Sequence, residues 1–324
     1  MIDLAAKLPW WCKIVPSLVL PQAYWSQTGG TDCARYCYSV WLRHLVMAHR
    51  SGLPTHPAVV AELGPGDSLG IGLAALLSGT STYYGLDVVK FTNATRNLDV
   101  FEELLMLFSK RAPIPDDSEF PRCRPYLKSY EFPNHILNDA RLKISLQRQR
   151  VDSIRAILQG TGVQAENQSC IFYFAPWDDV ATLKENSIDM VYSQAVLEHI
   201  DDLEHTYKTL YKWLKPGGCM SHQIDFKCHD IVPEWNGHWT FSDLTWKVMR
   251  GRRPYFLNRQ PHSRHIDLLQ ANGFMVAGDI RIETTSDIFR RHLAKRFHCL
   301  TDLDLHTSSA LIQAVKPDPS SCPD

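Results

Sequence analysis

Apolar residues recur at helical spacing through residues 31–50, TDCARYCYSVWLRHLVMAHR, directly behind Thr31 and Asp32, two residue types that cap helix N-termini. A helix is therefore expected ahead of the first strand, closed by the Gly52, Pro54 and Pro57 cluster. From Ala58 the period changes. AVVAELGPGDSLGIGLAALLSG reads as a short β-rich run, a glycine turn and an Ala/Leu-rich helix, the opening of an α/β unit, and Thr82–Asp87 supplies a second strand.

The repeat then breaks. The next strand, Cys170–Phe174, lies far beyond one αβ step, and the intervening RAPIPDDSEFPRCRPYLKSYEFPNH is dense in proline and charge. It reads as part of an insertion, at about 99–160, with helical spacing returning over Ala140–Leu158. The rhythm resumes with a strand at Ile188–Ser193, a helix at Asp202–Leu214, the turn Pro216-Gly217-Gly218 and a strand at Cys219–Phe226. A second interruption, 227–263, holds Trp235, Trp239, Phe241, Trp246, Tyr255 and Phe256. A helix in HIDLLQANGF and strands at Phe274–Thr284 and Ser309–Val315 follow. The pattern predicts a doubly wound, mostly parallel α/β sheet with helical insertions, spanning 58–316. An N-terminal helical cap segment, 1–57, and a flexible tail, 317–324, flank it.

Composition narrows the class. Hydrophobic residues make up 44% and charged residues 21%, which argues against a disordered chain. With 34 Lys and Arg against 35 Asp and Glu, the formal net charge is -1, so no global field draws the protein to nucleic acid or an anionic membrane. No apolar run reaches the ~18 residues that a membrane span needs, and the first 20 residues lack a secretory leader, so a cytoplasmic protein is expected. The 9 cysteines form no CxxC pair, which fits reduced thiols. Cys33 and Cys37, one helical turn apart, read as core packing.

Chemistry enters at ELGPGDSLG, Glu62–Gly70, between strand and helix, where glycines let the backbone approach a ligand. Asp87 closes the second strand about 20 residues on, where a carboxylate can accept both hydrogen bonds of a ribose diol. A dinucleotide fingerprint requires GxGxxG. Here the third glycine, Gly70, falls one position late, with Leu69 in its place. Glu62 and Asp67 would repel a pyrophosphate and suit a ligand carrying an amine.

ELGPGDSLG with Asp87, then SIDMVYSQAVLEHI, then LKPGG, resembles the ordered motif set of class I S-adenosylmethionine-dependent methyltransferases, especially their small-molecule branch. The resemblance covers roughly Ala58 to Asp225 and, through LLQANGF and the final strands, most of the remainder. It implies a seven-stranded Rossmann-like methyltransferase fold and S-adenosyl-L-methionine as cofactor. By that resemblance Glu62, Leu63, Gly64 and Gly66 line the methionine part, and Asp87 with Val88 holds the ribose. Trp177 and Asp178 fall near the adenine-contacting segment, although APWDD replaces the usual acidic-small pair there. Ser193 and Gln194 approach the amino-acid end or the reacting methyl.

Methyl transfer from a sulfonium is an in-line displacement, and a hydroxyl acceptor benefits from a base. Acceptor groups are sought outside the carboxyl ends of the strands, which selects His199, His222, Asp225 and His229. His222 and Asp225, in SHQIDFKCHD, are the candidate imidazole base and its orienting carboxylate; otherwise His222 is a satisfied core histidine. His199, behind Glu198 in VLEHI, is a second candidate base. His222, Asp225 and His229 also have the donor types of a divalent-metal site, at a spacing that matches no metal signature, and no metal is expected. The aromatic interruption is either a substrate lid or a satellite core. Arg250, Arg252 and Arg253 are either a grip on an acidic acceptor or an exposed charge run.

The favoured function is O-methylation of a small-molecule or saccharide-type acceptor. The alternatives are a methyltransferase acting on protein or nucleic acid, for which neither a basic surface nor a [DN]PP[FY] signature is present, and a nicotinamide-dependent oxidoreductase, which the broken fingerprint disfavours. A cofactor-binding fold that has lost its chemistry is a fourth, non-enzymatic reading.

Overall fold

Seven strands form one sheet in the order β3-β2-β1-β4-β5-β7-β6. They are β1 Val59–Leu63, β2 Thr82–Leu86, β3 Ile171–Phe174, β4 Ile188–Gln194, β5 Leu214–Asp225, β6 Met275–Glu283 and β7 Thr307–Val315. β1 to β5 pair in parallel, and β7 runs antiparallel to both β5 and β6. The expected doubly wound, mostly parallel sheet is present. These relations come from a computed structural model, which describes residues 30–161, 170–177, 179–253 and 255–321.

Both faces of the sheet are covered, as a parallel sheet of Val, Ile and Tyr requires. One face carries α1 Ala34–Arg50, α2 Gly70–Leu77, α3 Ala94–Lys110, α4 Asp139–Ser145 and α5 Arg148–Leu158, with Trp41, Phe101 and Phe108 fully buried among them. The other carries α6 Leu203–Trp213 and α8 His262–Ala271 around Trp213, Trp239 and Leu269. Gly72 lets α2 lie directly on β2, because a Cβ there would stand 2.1 Å from the Tyr83 ring.

The first interruption is narrower than its sequence pattern suggests. α3 runs through its expected start, and only 111–138 lacks helix and strand. That proline-rich stretch cannot build its own ladder, so its carbonyls take donors from α1. Arg43, fully buried, donates to the carbonyls of Pro125 at 2.5 Å and Pro115 at 3.1 Å, and meets Asp117 at 3.4 Å. Arg141 bonds the Ser78 carbonyl and Arg150 those of Leu76 and Thr80, serving the C-terminal end of α2, and Arg141 also reaches the Thr55 carbonyl ahead of β1.

Two further expectations change. Pro216-Gly217-Gly218 is the opening of β5, with Gly217 donating to the Lys316 carbonyl beyond β7, so the turn is absorbed into an edge of the ladder. The second interruption contains α7 Asp243–Arg250 and a satellite core of Trp246, Met249, Phe256 and Leu257. Trp235 and Trp239 are buried in the main core. Trp246 thus anchors the satellite core, while Trp235 and Trp239 tie the segment to the main one.

Candidate active site

The glycine turn follows β1, and its shape depends on two residues. Gly64 sits at φ 64 and Gly66 at φ 76, the left-handed region where a side chain strains the backbone. A Cβ at Gly64 would also stand 2.6 Å from Val196 Cγ2, so the turn after β1 and the one after β4 touch.

The amides that follow are occupied by the protein itself. Ser68 N–H donates to Thr31 Oγ1 at 3.2 Å, Leu69 N–H to Asn97 Oδ1 at 2.8 Å and Gly70 N–H to Ser68 Oγ at 3.0 Å. These are the donors that a dinucleotide fold offers to a pyrophosphate. Their commitment adds a physical reason against a nicotinamide cofactor to the misplaced third glycine.

Asp87, 4% exposed, stands just past β2. Its carboxylate accepts from Val88 N–H at 2.8 Å and Gly66 N–H at 3.4 Å. Burial pushes its pKa up to about 6 against the pull of those amides. Val88 is 45% exposed beside it. Glu62 differs from its expected role: its carboxylate is enclosed on the α1–α2 face, accepting from Tyr83 Oη at 2.6 Å and Tyr192 Oη at 3.2 Å, and burial pushes its pKa up to about 8. It braces three strands from within. Leu63 is buried on the opposite face.

Several other expected contacts are also absorbed by the core. The Trp177 ring is 6% exposed and stands edge-on to Trp213 at 5.9 Å, so its indole is core rather than an adenine platform. Asp178 lies outside the described residues. Ser193 is fully buried, bonded to His222 Nδ1 at 2.8 Å, while Gln194 donates to the Arg124 carbonyl at 3.4 Å. His222 is a correction to the sequence reading. It is 1% exposed in mid-strand, and burial, with His44 and His265 nearby, pushes its pKa down to about 3. A general base must reach its proton and hold it, and this imidazole does neither.

The groups that converge lie one step further along, at the ends of β4 and β5. A single 3-10 turn, Leu197–His199, carries Glu198 and His199. Asn258, from the second interruption, clamps this turn: its side chain donates to the carbonyls of Leu197 at 2.7 Å and Ile200 at 2.8 Å, and its N–H to that of Glu198 at 2.8 Å. Asp225 ends β5 and lies 3.6 Å from His229 Nε2 and 3.4 Å from Lys227 Nζ. Burial opposes its charge, but His229 and Lys227 hold its pKa below the usual carboxylate value. The His199 and His229 rings are 5.3 Å apart. Ala195, His229 and Asp230 all take positive φ, 54, 49 and 58, a concentration of strain in the loops that shape this end.

Tyr255 links the two halves. Its ring is 6.1 Å from His199 and 6.2 Å from Phe91, and it lies near enough to Asp87 and Asp67 for their charge to add to burial in raising its pKa. The arginines of this segment are engaged elsewhere: Arg250 forms a two-pronged pair with Asp201 at 2.6 and 2.7 Å, and Arg253 lies over Phe256 at 4.1 Å. Glu198 and Asn258 were not singled out by the sequence reading. A carboxylate inside the apolar run AVLEHI was the available signal for the first.

A family model described as a methyltransferase domain matches residues 151–221, from α5 through most of β5. Over those residues the chain is similar to that domain, in keeping with the resemblance of its motifs to class I S-adenosylmethionine-dependent methyltransferases. No curated protein matches the chain in sequence. Among solved structures it is similar to an S-adenosylmethionine dependent methyltransferase from Mesorhizobium loti, at 15% identity and a TM-score of 0.40, over 84% of this chain and 97% of that one. It is also similar to the YcgJ protein of Bacillus subtilis, at 12% identity and a TM-score of 0.41, over 85% and 98%. A third is Haemonchus contortus phosphoethanolamine N-methyltransferase 2, at 16% identity and 0.41, over 86% and 53%. Likenesses this distant say nothing of the acceptor. Among the described residues no helix is long and apolar enough to cross a membrane.

Proposed function

We propose that the protein is an S-adenosylmethionine-dependent methyltransferase that transfers the methyl group to an oxygen of a small, hydroxylated acceptor, of saccharide type, received between Asp87 and the ends of β4 and β5 under Tyr255. The observation that carries the reading is the convergence of Glu198, His199, Asp225 and His229 beside the aromatic edge of Tyr255. Acidic and imidazole groups there suit hydroxyls. A polyanionic nucleic acid would meet Asp67, Asp87 and Asp225, while Arg250 and Arg259 are paired with Asp201 and Asp243.

The turn after β1 fits the cofactor: the glycine backbone leaves no room for a side chain at Gly64, and Asp87 presents a carboxylate beside it. Gly64, Gly66, Asp87 and Val88 would hold it, with Gln194 near the reacting end and Trp177 contributing through its backbone. S-adenosylmethionine, when bound, would supply an electrophilic methyl whose bond to the acceptor oxygen forms as its bond to sulfur breaks, releasing the neutral thioether. His199 and His229 meet the acceptor in place of His222. Tyr255 and the segment around it exclude water from that meeting.

The test is transfer of labelled methyl from S-adenosylmethionine to parallel panels of saccharides, small phenols, peptides and oligonucleotides, read by mass spectrometry. Label on a hydroxyl oxygen of a small acceptor, retained in His222→Ala and lost in His229→Ala, is expected. Label on peptide or oligonucleotide alone overturns the acceptor class.

A further inference from the structure

One ligand atom each from Glu198, His199 and His229 can be chosen so that all three lie within 4.8 Å of one another. Donors bound tetrahedrally at ~2.1 Å to one ion stand about 3.4 Å apart, so the widest of these separations closes by up to about 1.4 Å on binding, within the reach of side-chain rotation. Asp225 Oδ2, 3.6 Å from His229 Nε2, adds a further oxygen at the edge.

A second observation points to a ligand here. Both carboxylate oxygens of Glu198 and the Nδ1 of His199 are buried with no hydrogen-bond partner. Buried polar atoms in native proteins are nearly always paired, and an interior carboxylate without a partner is costly. Lys227, the cation at this end of the sheet, is placed on Asp225 at 3.4 Å. A proton on Glu198 would neutralise it but leave its two oxygens and the imidazole nitrogen still without partners. A cation in their midst satisfies all of them together.

We infer that Glu198, His199 and His229 form a divalent-metal site, with Asp225 adjoining, that binds a first-row transition ion and through it an oxygen of the acceptor. Two imidazoles with one carboxylate suit Mn2+, Fe2+, Co2+ or Zn2+ better than Mg2+ or Ca2+, which prefer all-oxygen shells. Three protein donors leave coordination positions open, and the end of the sheet leaves a side from which an acceptor hydroxyl or vicinal diol reaches them. Asn258 fixes the backbone of the two residues on the Leu197–His199 turn. This site is distinct from the trio considered in the sequence: His222, whose Nε2 is buried in the core, is not part of it. The role assigned to the ion rests on the proposed acceptor position; its binding does not.

Full-length protein is freed of metal with a chelator and titrated with Co2+, followed by visible absorption and calorimetry, with S-adenosylhomocysteine titrated into the same samples. The expected result is one Co2+ per chain with ligand-field bands, weakened at least tenfold in His229→Gln, with S-adenosylhomocysteine affinity unchanged. His229, 37% exposed, tests the site without disturbing the core. Absence of a stoichiometric Co2+ complex, or Co2+ binding indifferent to His229→Gln and His199→Gln, overturns the inference even if S-adenosylhomocysteine binds. Co2+ binding with the expected mutational loss but without any S-adenosylhomocysteine binding supports the metal site and sinks the functional reading on its own.

Discussion

The two halves of the site treat their polar atoms in opposite ways. Around the glycine turn, the amides of Ser68, Leu69 and Gly70 and the carboxylates of Glu62 and Asp87 all find partners inside the chain. At the ends of β4 and β5, Glu198 and His199 keep buried atoms unmatched, over a backbone strained at Ala195, His229 and Asp230. A polar group that is satisfied from within shapes the fold, and one that is left wanting reports what the fold expects from outside. Position sorts the histidines: His222 lies in mid-strand inside the core, whereas His199 and His229 lie at the strand ends with their rings 5.3 Å apart.

The comparison is broken most forcefully at Arg43. If its guanidinium is purely architectural, Arg43→Met should cost about 3–5 kcal/mol in denaturant unfolding, as removal of a buried charged partner does, while the folded fraction binds S-adenosylhomocysteine normally. Altered affinity in that fraction would tie the proline-rich stretch to the site. Asp87→Ala comes next. Loss of hydrogen bonds to an ionised group should weaken S-adenosylhomocysteine by about 1.5–3 kcal/mol, roughly ten- to a hundredfold, in calorimetry, and an unchanged affinity would remove Asp87 from the ribose.

The same carboxylate sharpens the comparison through pH. Its pKa in the free protein is about 6, raised by burial, and the ribose hydroxyls require the ionised form. Affinity should therefore be full above pH 6 and fall as pH drops through it, by about tenfold at pH 5. A flat profile between pH 5 and 7, or one that persists in Asp87→Asn, would show that another group controls binding. The smallest expected effect is that of Gly64→Ala, at about 1 kcal/mol or somewhat more in thermal unfolding, from positive φ and the contact with Val196. A neutral result would mean that the two turns yield to each other.

Much of the fold was legible in sequence because its signals are local. Alternation and glycine punctuation located β1, β2, β4 and the terminal strands, and the position of Asp87 followed from its place after β2. The losses were of two kinds. Glu62, Trp177 and Ser193 lie close to the turns expected to face the cofactor, but their side chains point into the layers, and which face a strand residue takes depends on sheet register that no single stretch reveals. Glu198 and Asn258 meet only in three dimensions, from loops 60 residues apart. Asn258 carries no chemistry of its own in sequence; its importance comes from three carbonyl partners on a turn that precedes it in the chain by α6, β5 and α7.

That clamp has a consequence for how the molecule opens. Because Asn258 supplies the hydrogen bonds that close the Leu197–His199 turn, the turn and the segment 255–260 form one cooperative unit, although the chain separates them by α6, β5 and α7. In native-state amide exchange the two stretches should lose protection at the same rate and with the same denaturant dependence. Acceptor entry would then require release of the wall and the floor of the site together.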